Sequence, residues 1–206
     1  RVRGKEEEIE VNVANQVETL INVQRDNRNR KTVFWRGILV FPILIYSASM
    51  LQMLHWGATS GLITLPVVLT LVFRGVYPSY ILSFNHALME LSVRIVSYLL
   101  FLTDDYPSIE RNPNMAILLP DIHGGRTLSR WKPIFKFLFA IPLFIVGLFY
   151  SSITLILSLF AWLHILLFGK YPDPAMNFVL GTVKFWNRVL GYAAILVTDE
   201  YPSLKL

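Results

Sequence analysis

Long apolar runs alternate with short polar segments along the chain, and their lengths predict its helices. Residues 33–56 are apolar, a Gly-Ala-Thr-Ser-Gly break follows at 57–61, and a second apolar run covers 62–73. In the second half, residues 133–169 are almost uninterrupted. About 20 apolar residues cross a membrane, so each half predicts a hairpin of two helices, the second hairpin turning near Gly147–Ser152.

An amphipathic segment follows each predicted hairpin. Residues 79–102 and 173–197 both begin after Tyr-Pro and end at Thr-Asp-x-Tyr-Pro. Tyrosine is favoured at the level of the lipid headgroups, and proline is favoured in the first turn of a helix. The two segments therefore predict interfacial helices, and helices that span the membrane are the alternative. The predicted interface anchors are Tyr77, Pro78, Tyr106, Pro107, Tyr171, Pro172, Tyr201 and Pro202.

The two halves repeat the same order of residues. Tyr77-Pro78 and Arg94 recur as Tyr171-Pro172 and Arg188 at an offset of 94 residues. The two Thr-Asp-x-Tyr-Pro motifs are instead 95 residues apart, which predicts one inserted residue in the second amphipathic helix. Such self-similarity predicts a tandem repeat. The expected domains are a charged arm with an amphipathic helix at 1–32, a first membrane repeat at 33–108, a polar linker at 109–132 and a second membrane repeat at 133–206.

The composition supports a lipid environment. The 206 residues are 54% hydrophobic and 16% charged, whereas soluble domains average about 25% charged residues. Basic residues concentrate in the arm, in the linker and at Lys170, which the positive-inside rule assigns to the cytoplasmic side. The expected fold is an all-α membrane protein with two tandem repeats, each a transmembrane helical hairpin plus an amphipathic interfacial helix.

A stripe of charged residues follows the two amphipathic segments. It consists of Glu90, Arg94, Lys184 and Arg188. Because a charge inside a bilayer is costly, the stripe predicts the polar edge of a surface helix. Glu90 and Lys184 occupy equivalent positions with opposite charge, so they either pair across the repeat or contact water and lipid headgroups.

Few residues indicate catalysis or ligand binding. Cysteine is absent, which excludes disulfides and thiolate ligands, and the sequence contains no phosphate loop or Gly-x-Ser-x-Gly motif. The acid pairs at 104–105 and 199–200 predict structural helix stops, with a cation site as the alternative. His55 and His164 are candidate haem or pigment ligands, although hydrogen-bonded histidines are the simpler interpretation. We expect no cofactor, no metal ion and no nucleic-acid partner.

The motifs resemble a family of bacterial membrane proteins that carry a domain of unknown function. The resemblance rests on the segment KYPDPAMNFVLGTVKFWNRVLGYAAILVTDEYP and, more loosely, on its counterpart in the first half. It covers residues 33–206. It implies a bacterial integral membrane protein and supplies no reaction or ligand.

Together these features predict a non-enzymatic accessory subunit of a larger complex in the bacterial cytoplasmic membrane. The expected partners are lipids and other membrane subunits, and the arm is expected on the cytoplasmic side of a multi-pass chain. Two alternatives remain, namely a small transporter or channel component with a polar site between the repeats, and a haem- or pigment-binding subunit.

Overall fold

A computed structural model describes residues 16–40, 64–110 and 114–206 of the chain. Its elements, in order, are β1 (Glu18–Ile21), α1 (Arg30–Trp35), a π-helical turn (Arg36–Val40), α2 (Thr64–Arg74), α3 (Ser79–Leu99), β2 (Met115–Leu118), a 3₁₀ turn (His123–Gly125), α4 (Lys132–Phe168) and α5 (Asp173–Ala193). Several predicted features lie outside these residues, among them the first part of the charged arm, most of the first apolar run including His55, and the break at 57–61.

The long apolar run of the second half forms one helix, so the predicted turn near Gly147–Ser152 is wrong. Helix α4 is continuous over 37 residues. Gly147 serves close packing instead of a turn, because a methyl group there would lie 2.6 Å from the Trp186 ring. The Ser152 hydroxyl donates to the carbonyl of Leu148 at 2.9 Å, which keeps it within the helix.

A single buried stripe runs along α4 from its first turn to its last. The stripe consists of Pro133, Lys136, Ala140, Leu143, Gly147, Thr154, Ser158, Ala161 and Ile165. These residues recur at intervals of three, four or seven positions, which is the spacing of one helix face. Most of them are small or polar, and they let neighbouring helices approach α4 closely.

Helix α5 packs antiparallel to α4, and α3 packs antiparallel to α5. The Thr154 hydroxyl donates to that of Thr182 at 3.0 Å in the middle of the α4–α5 contact. The C-terminal half of α4 also contacts α1, where the Trp162 indole donates to the carbonyl of Val33 at 3.0 Å. Both α5 and α1 therefore pack against α4.

The described residues are mostly helical, as expected, but the polar segments before each half pair as a two-stranded antiparallel sheet that the all-α prediction lacked. Glu18 lies opposite Leu118, and Ile21 lies opposite Met115. The described end of the amphipathic helix predicted for the arm is thus a strand at Glu18–Ile21, and the rest of that helix lies outside the described residues. The strand's hydrogen bonds go to a segment almost a hundred residues away, so the local periodicity of the sequence could not predict this pairing.

The ends of α3 and α5 match closely. Both helices have 21 residues and begin after a proline with nearly the same backbone angles, φ −66° and ψ 120° at Pro78 and φ −66° and ψ 125° at Pro172. Past their ends, Phe101 and Leu196 both have a left-handed conformation, with φ of 60° and 66°. Because the helices are equally long, the extra residue of the second half lies after α5, not within it as predicted.

Candidate functional site

Asp104, from the first Thr-Asp motif, binds two buried arginines. Its Oδ1 atom lies 2.9 Å from Arg28 Nη2 and 3.1 Å from Arg36 Nη2. Arg36 is 2% exposed, donates to the carbonyl of Thr103 at 2.9 Å and lies 3.8 Å from the centre of the Tyr98 ring. Burial lowers the pKa of Arg28, and Asp104 acts in the opposite direction. We call these residues the first clasp.

The second Thr-Asp motif makes the corresponding contacts with a lysine. Lys136 Nζ lies 2.7 Å from Asp199 Oδ1 and donates to the carbonyl of Thr198 at 2.6 Å. Its ammonium is 5.5 Å from the centre of the Tyr192 ring. We call this group the second clasp. The first clasp ties α1 and the π-helical turn to the segment that follows α3, and the second clasp ties the start of α4 to the segment that follows α5.

The carboxylates of the two clasps also accept hydrogen bonds from backbone amides. Asp104 accepts from the amide of Asn29 at 3.2 Å, and Asp199 accepts from the amide of Ser129 at 2.7 Å. Both carboxylates are therefore engaged by protein cations and amides, as expected for the predicted structural stop. Among the described residues, no group of three or more His, Asp or Glu side chains is arranged to hold a metal ion.

The repeated arginines bind backbone carbonyls of the segment after each motif. Arg94 is 3% exposed and donates to the carbonyls of Ser108 at 2.7 Å, Ile109 at 3.1 Å and Glu110. Arg188 donates to the carbonyls of Ser203 at 3.3 Å and Lys205. Arg94 is thus buried, contrary to the expectation that it marks a water-facing edge. A guanidinium has enough donors to hold several carbonyls at once, which accounts for this position.

The other two members of the predicted stripe differ in their surroundings. Glu90 lies 3.5 Å from Arg94 and 3.6 Å from His86, both on its own helix. Lys184 is partly buried on α5. The pairing of Glu90 with Lys184 remains a prediction.

The first tyrosine of each half is buried, not placed as an interface anchor. Tyr77 and Tyr171 are each 3% exposed. The Tyr77 hydroxyl donates to the carbonyl of Ile195 at 2.7 Å, and that of Tyr171 donates to Leu100 at 3.2 Å. Burial raises the pKa of Tyr77 well above its usual value and that of Tyr171 to about 12.

The remaining predicted anchors differ in their exposure. Tyr106 is 78% exposed and Tyr201 is 48% exposed. Their rings contact Tyr98 and Tyr192 edge to face, at 5.9 and 5.7 Å. Pro107 is partly buried and Pro202 is buried, whereas Pro78 and Pro172 cap the amphipathic helices.

The histidines make ordinary contacts where they are described. His164 Nδ1 lies 2.8 Å from the carbonyl of Lys170, and its ring lies 4.6 Å from that of Phe168. In the polar loop, hydrogen bonds from the side chain and amide of His123 lower the pKa of Asp121. His55, the other candidate ligand, lies outside the described residues.

An open groove runs between the start of α3 and the segment after β2. It measures ≈ 720 Å³ and is lined mainly by apolar side chains, including Leu82, Ile117 and Ile122. His86 lies at the groove, with its Nε2 atom 2.6 Å from the carbonyl of Ile117. Since that contact already engages the histidine, the groove has no evident catalytic group.

The outer side of α4 is a candidate for a functional surface. Large apolar residues are exposed along it, including Phe137 at 63%, Leu148 at 64% and Ile156 at 70%. Within the described residues, α4 is the one helix long and apolar enough to cross a membrane. Soluble proteins rarely expose so large an apolar surface. We call this surface the apolar face.

The clasp cations Arg28, Arg36 and Lys136 were not among the predicted site residues. A signal for two of them does exist in the sequence, because Arg36 precedes Pro42 by the same six positions that separate Lys136 from Pro142. A cation at equivalent places in two apolar runs indicates a shared buried acceptor. The identity of that acceptor required the structure.

Comparison with known proteins relates only the second half to a family. No curated protein and no solved structure gives a significant match to the chain. A family profile described as "Domain of unknown function (DUF4389)" matches residues 130–204, a range that includes α4, α5 and the second clasp. The chain therefore contains a DUF4389 domain at residues 130–204.

Proposed function

We propose that the protein is a non-enzymatic structural component of a bacterial cytoplasmic membrane, where it serves as an accessory subunit of a larger complex. The observation that carries this proposal is the polarity of α4. Its buried stripe is rich in small and polar residues, while its exposed side is phenylalanine, leucine and isoleucine. Water would favour the reverse arrangement, whereas lipid or a membrane partner suits this one.

The roles of the charged residues support a structural function. Arg94 and Arg188 bind backbone carbonyls, and the cations of the two clasps bind carboxylates. Such contacts connect one segment of the chain to another. This organisation, in which the polar groups stabilise the fold and the exposed apolar surface is available for association, supports the proposed accessory role.

We also infer that residues 30–110 form a second unit of the kind matched at 130–204. The support is the correspondence of their contacts. Arg36, Thr103 and Asp104 in the first unit take the places of Lys136, Thr198 and Asp199 in the second. Gly75 and Gly169 end the helices before Tyr-Pro with φ of 64° and 74°.

Fractionation and gentle purification of the full chain test the proposal. We expect the chain in the membrane fraction, retained through a high-salt wash and released by a non-ionic detergent together with a stoichiometric membrane partner. A solitary chain in detergent would contradict the accessory role. Recovery in the soluble fraction would contradict membrane association altogether.

A matched pair of variants connects membrane retention to the apolar face. Leu148→Asp places a charge on that face, where the residue is 64% exposed, and should release much of the protein during the salt wash. Ile109→Asp changes an even more exposed aliphatic residue, at 88%, which lies outside the face and should have little effect. Equal release of both variants would show that the face is not the attachment surface.

A further inference from the structure

We propose that α4 lies along the surface of an anionic bilayer, with the apolar face in one leaflet, and does not cross the membrane. This rests on the membrane association proposed above and specifies its geometry. A helix of 37 residues is about 55 Å long, nearly twice the thickness of a hydrocarbon core of about 30 Å. Length alone therefore does not require a crossing.

The charges at the two ends of α4 favour the in-plane orientation. Arg130 and Lys132 are exposed at its start, and Lys170 is exposed just past its end. Arg30 also lies at that end, where a methyl group on Gly169 would come within 3.2 Å of its guanidinium. A crossing helix would place these basic groups on opposite sides of the membrane, against the positive-inside rule, while an in-plane helix places all of them on one surface.

The position of the two-stranded sheet also weighs against a crossing centred on the middle of α4. Trp186 of α5 donates to Ser151 near the middle of α4, at 2.9 Å. The next residue, Asn187, donates to Thr19 of β1 at 2.9 Å. The sheet thus lies at the level of the middle of α4, on another side of α5. A two-stranded sheet has two open edges, and open edges that face lipid do not occur in hydrocarbon.

The chemistry of the surface identifies an anionic phospholipid leaflet as the occupant. The apolar face supplies aromatic and aliphatic side chains for acyl chains. The basic residues at both ends are placed for phosphate headgroups, with each contributing about 1 kcal/mol near an anionic surface. Binding at a membrane interface strengthens with the apolar area that is buried and with attraction to anionic lipid, and α4 with its basic ends supplies both.

Depth-dependent quenching with the full chain tests the orientation. The chain has no cysteine, so Leu138→Cys, Phe149→Cys and Leu167→Cys each carry one fluorophore on one side of α4. All three positions are at least 60% exposed, at 60%, 64% and 69%. Vesicles of phosphatidylcholine and phosphatidylglycerol contain lipids with a nitroxide at a shallow or a deep carbon. His123→Cys, in the polar loop, is the control that should escape quenching.

The outcomes distinguish the orientation from membrane association itself. Equal shallow depths at the three positions support the in-plane helix. A deep Phe149 label between two shallow ones would overturn it, since labels about 17 and 27 Å away along a crossing helix would lie near the headgroups. Absence of quenching at all four positions would overturn both this inference and the proposed membrane association.

The contribution of anionic lipid has its own readout. Arg30→Gln and Lys132→Gln each remove a cation at one end of α4 and should each weaken binding to the phosphatidylglycerol vesicles roughly fivefold. Binding to pure phosphatidylcholine vesicles should be unchanged in both variants. Unchanged binding to the anionic vesicles would contradict the assigned role of the basic ends.

Discussion

The hydroxyl of Tyr77 donates a 2.7 Å hydrogen bond to the backbone carbonyl of Ile195, in the turn that ends α5. The first half of the chain thereby completes a helix end of the second. Tyr171 does the same in the opposite direction, with its hydroxyl 3.2 Å from the carbonyl of Leu100. These reciprocal bonds, together with the β1–β2 pairing, make the two halves dependent on each other.

Tyr77→Phe should lower the free energy of unfolding by about 1–3 kcal/mol, because it leaves a buried carbonyl without its donor. Denaturant unfolding of the full chain in a mild detergent measures the loss. Tyr80→Phe is the matched control, since Tyr80 lies three residues away in the first turn of α3 and is 74% exposed. Equal stabilities of the two variants would show that the Tyr77 hydroxyl contributes nothing.

The buried tyrosines should make the protein sensitive to alkali. The pKa of Tyr171 is raised from 10.0 to about 12, so its neutral form is favoured in the folded state. Its contribution to stability is complete below pH 10 and is lost as the pH rises through about 12. The free energy of unfolding, followed against pH, should fall across that interval, and Tyr171→Phe should reduce the slope. A slope unchanged by the substitution would contradict the assignment.

Lys136→Met should destabilise the second clasp by about 3 kcal/mol, because it leaves the largely buried carboxylate of Asp199 without its cation. Lys132→Met removes an exposed lysine from the same helix and is the control. Thermal unfolding in detergent compares the two variants. If both melt alike, the clasp does not stabilise the fold.

Phe149→Pro discriminates the continuous helix from the hairpin that the sequence suggested. In a helix interior, proline removes a hydrogen bond and clashes with the preceding turn, at a cost of about 3 kcal/mol or more. Phe149 is 64% exposed, so the loss of its ring alone is a small effect that Phe149→Ala measures. At a turn the two variants would have nearly equal stability, and that result would restore the hairpin.

The sequence predicted the features that depend on local periodicity and on comparison of the halves. Helices α3 and α5 begin where Tyr-Pro placed them, because proline and the apolar spacing act locally. The hairpin prediction failed because it was based on the length of the apolar run. The stripe from Pro133 to Ile165, which continues through Gly147 without a change of phase, would have indicated one helix.

Long-range partners were beyond what one sequence could supply. The spacing before proline pointed to Arg36 and Lys136, yet nothing local linked them to Asp104 and Asp199, which lie more than sixty residues away. The strand at Glu18–Ile21 likewise depends on a distant partner. Arg94 was interpreted as water-facing because its acceptors are backbone carbonyls, and carbonyls have no signature in the sequence.

Polarised infrared spectroscopy of the full chain in aligned anionic bilayers tests the central claim most directly. Helices α4 and α5 pack antiparallel against each other, so the dichroism of the amide I band reports the orientation of this helix pair. The account predicts helix axes close to the plane of the membrane. Axes close to the membrane normal would contradict it and would identify α4 as a transmembrane helix.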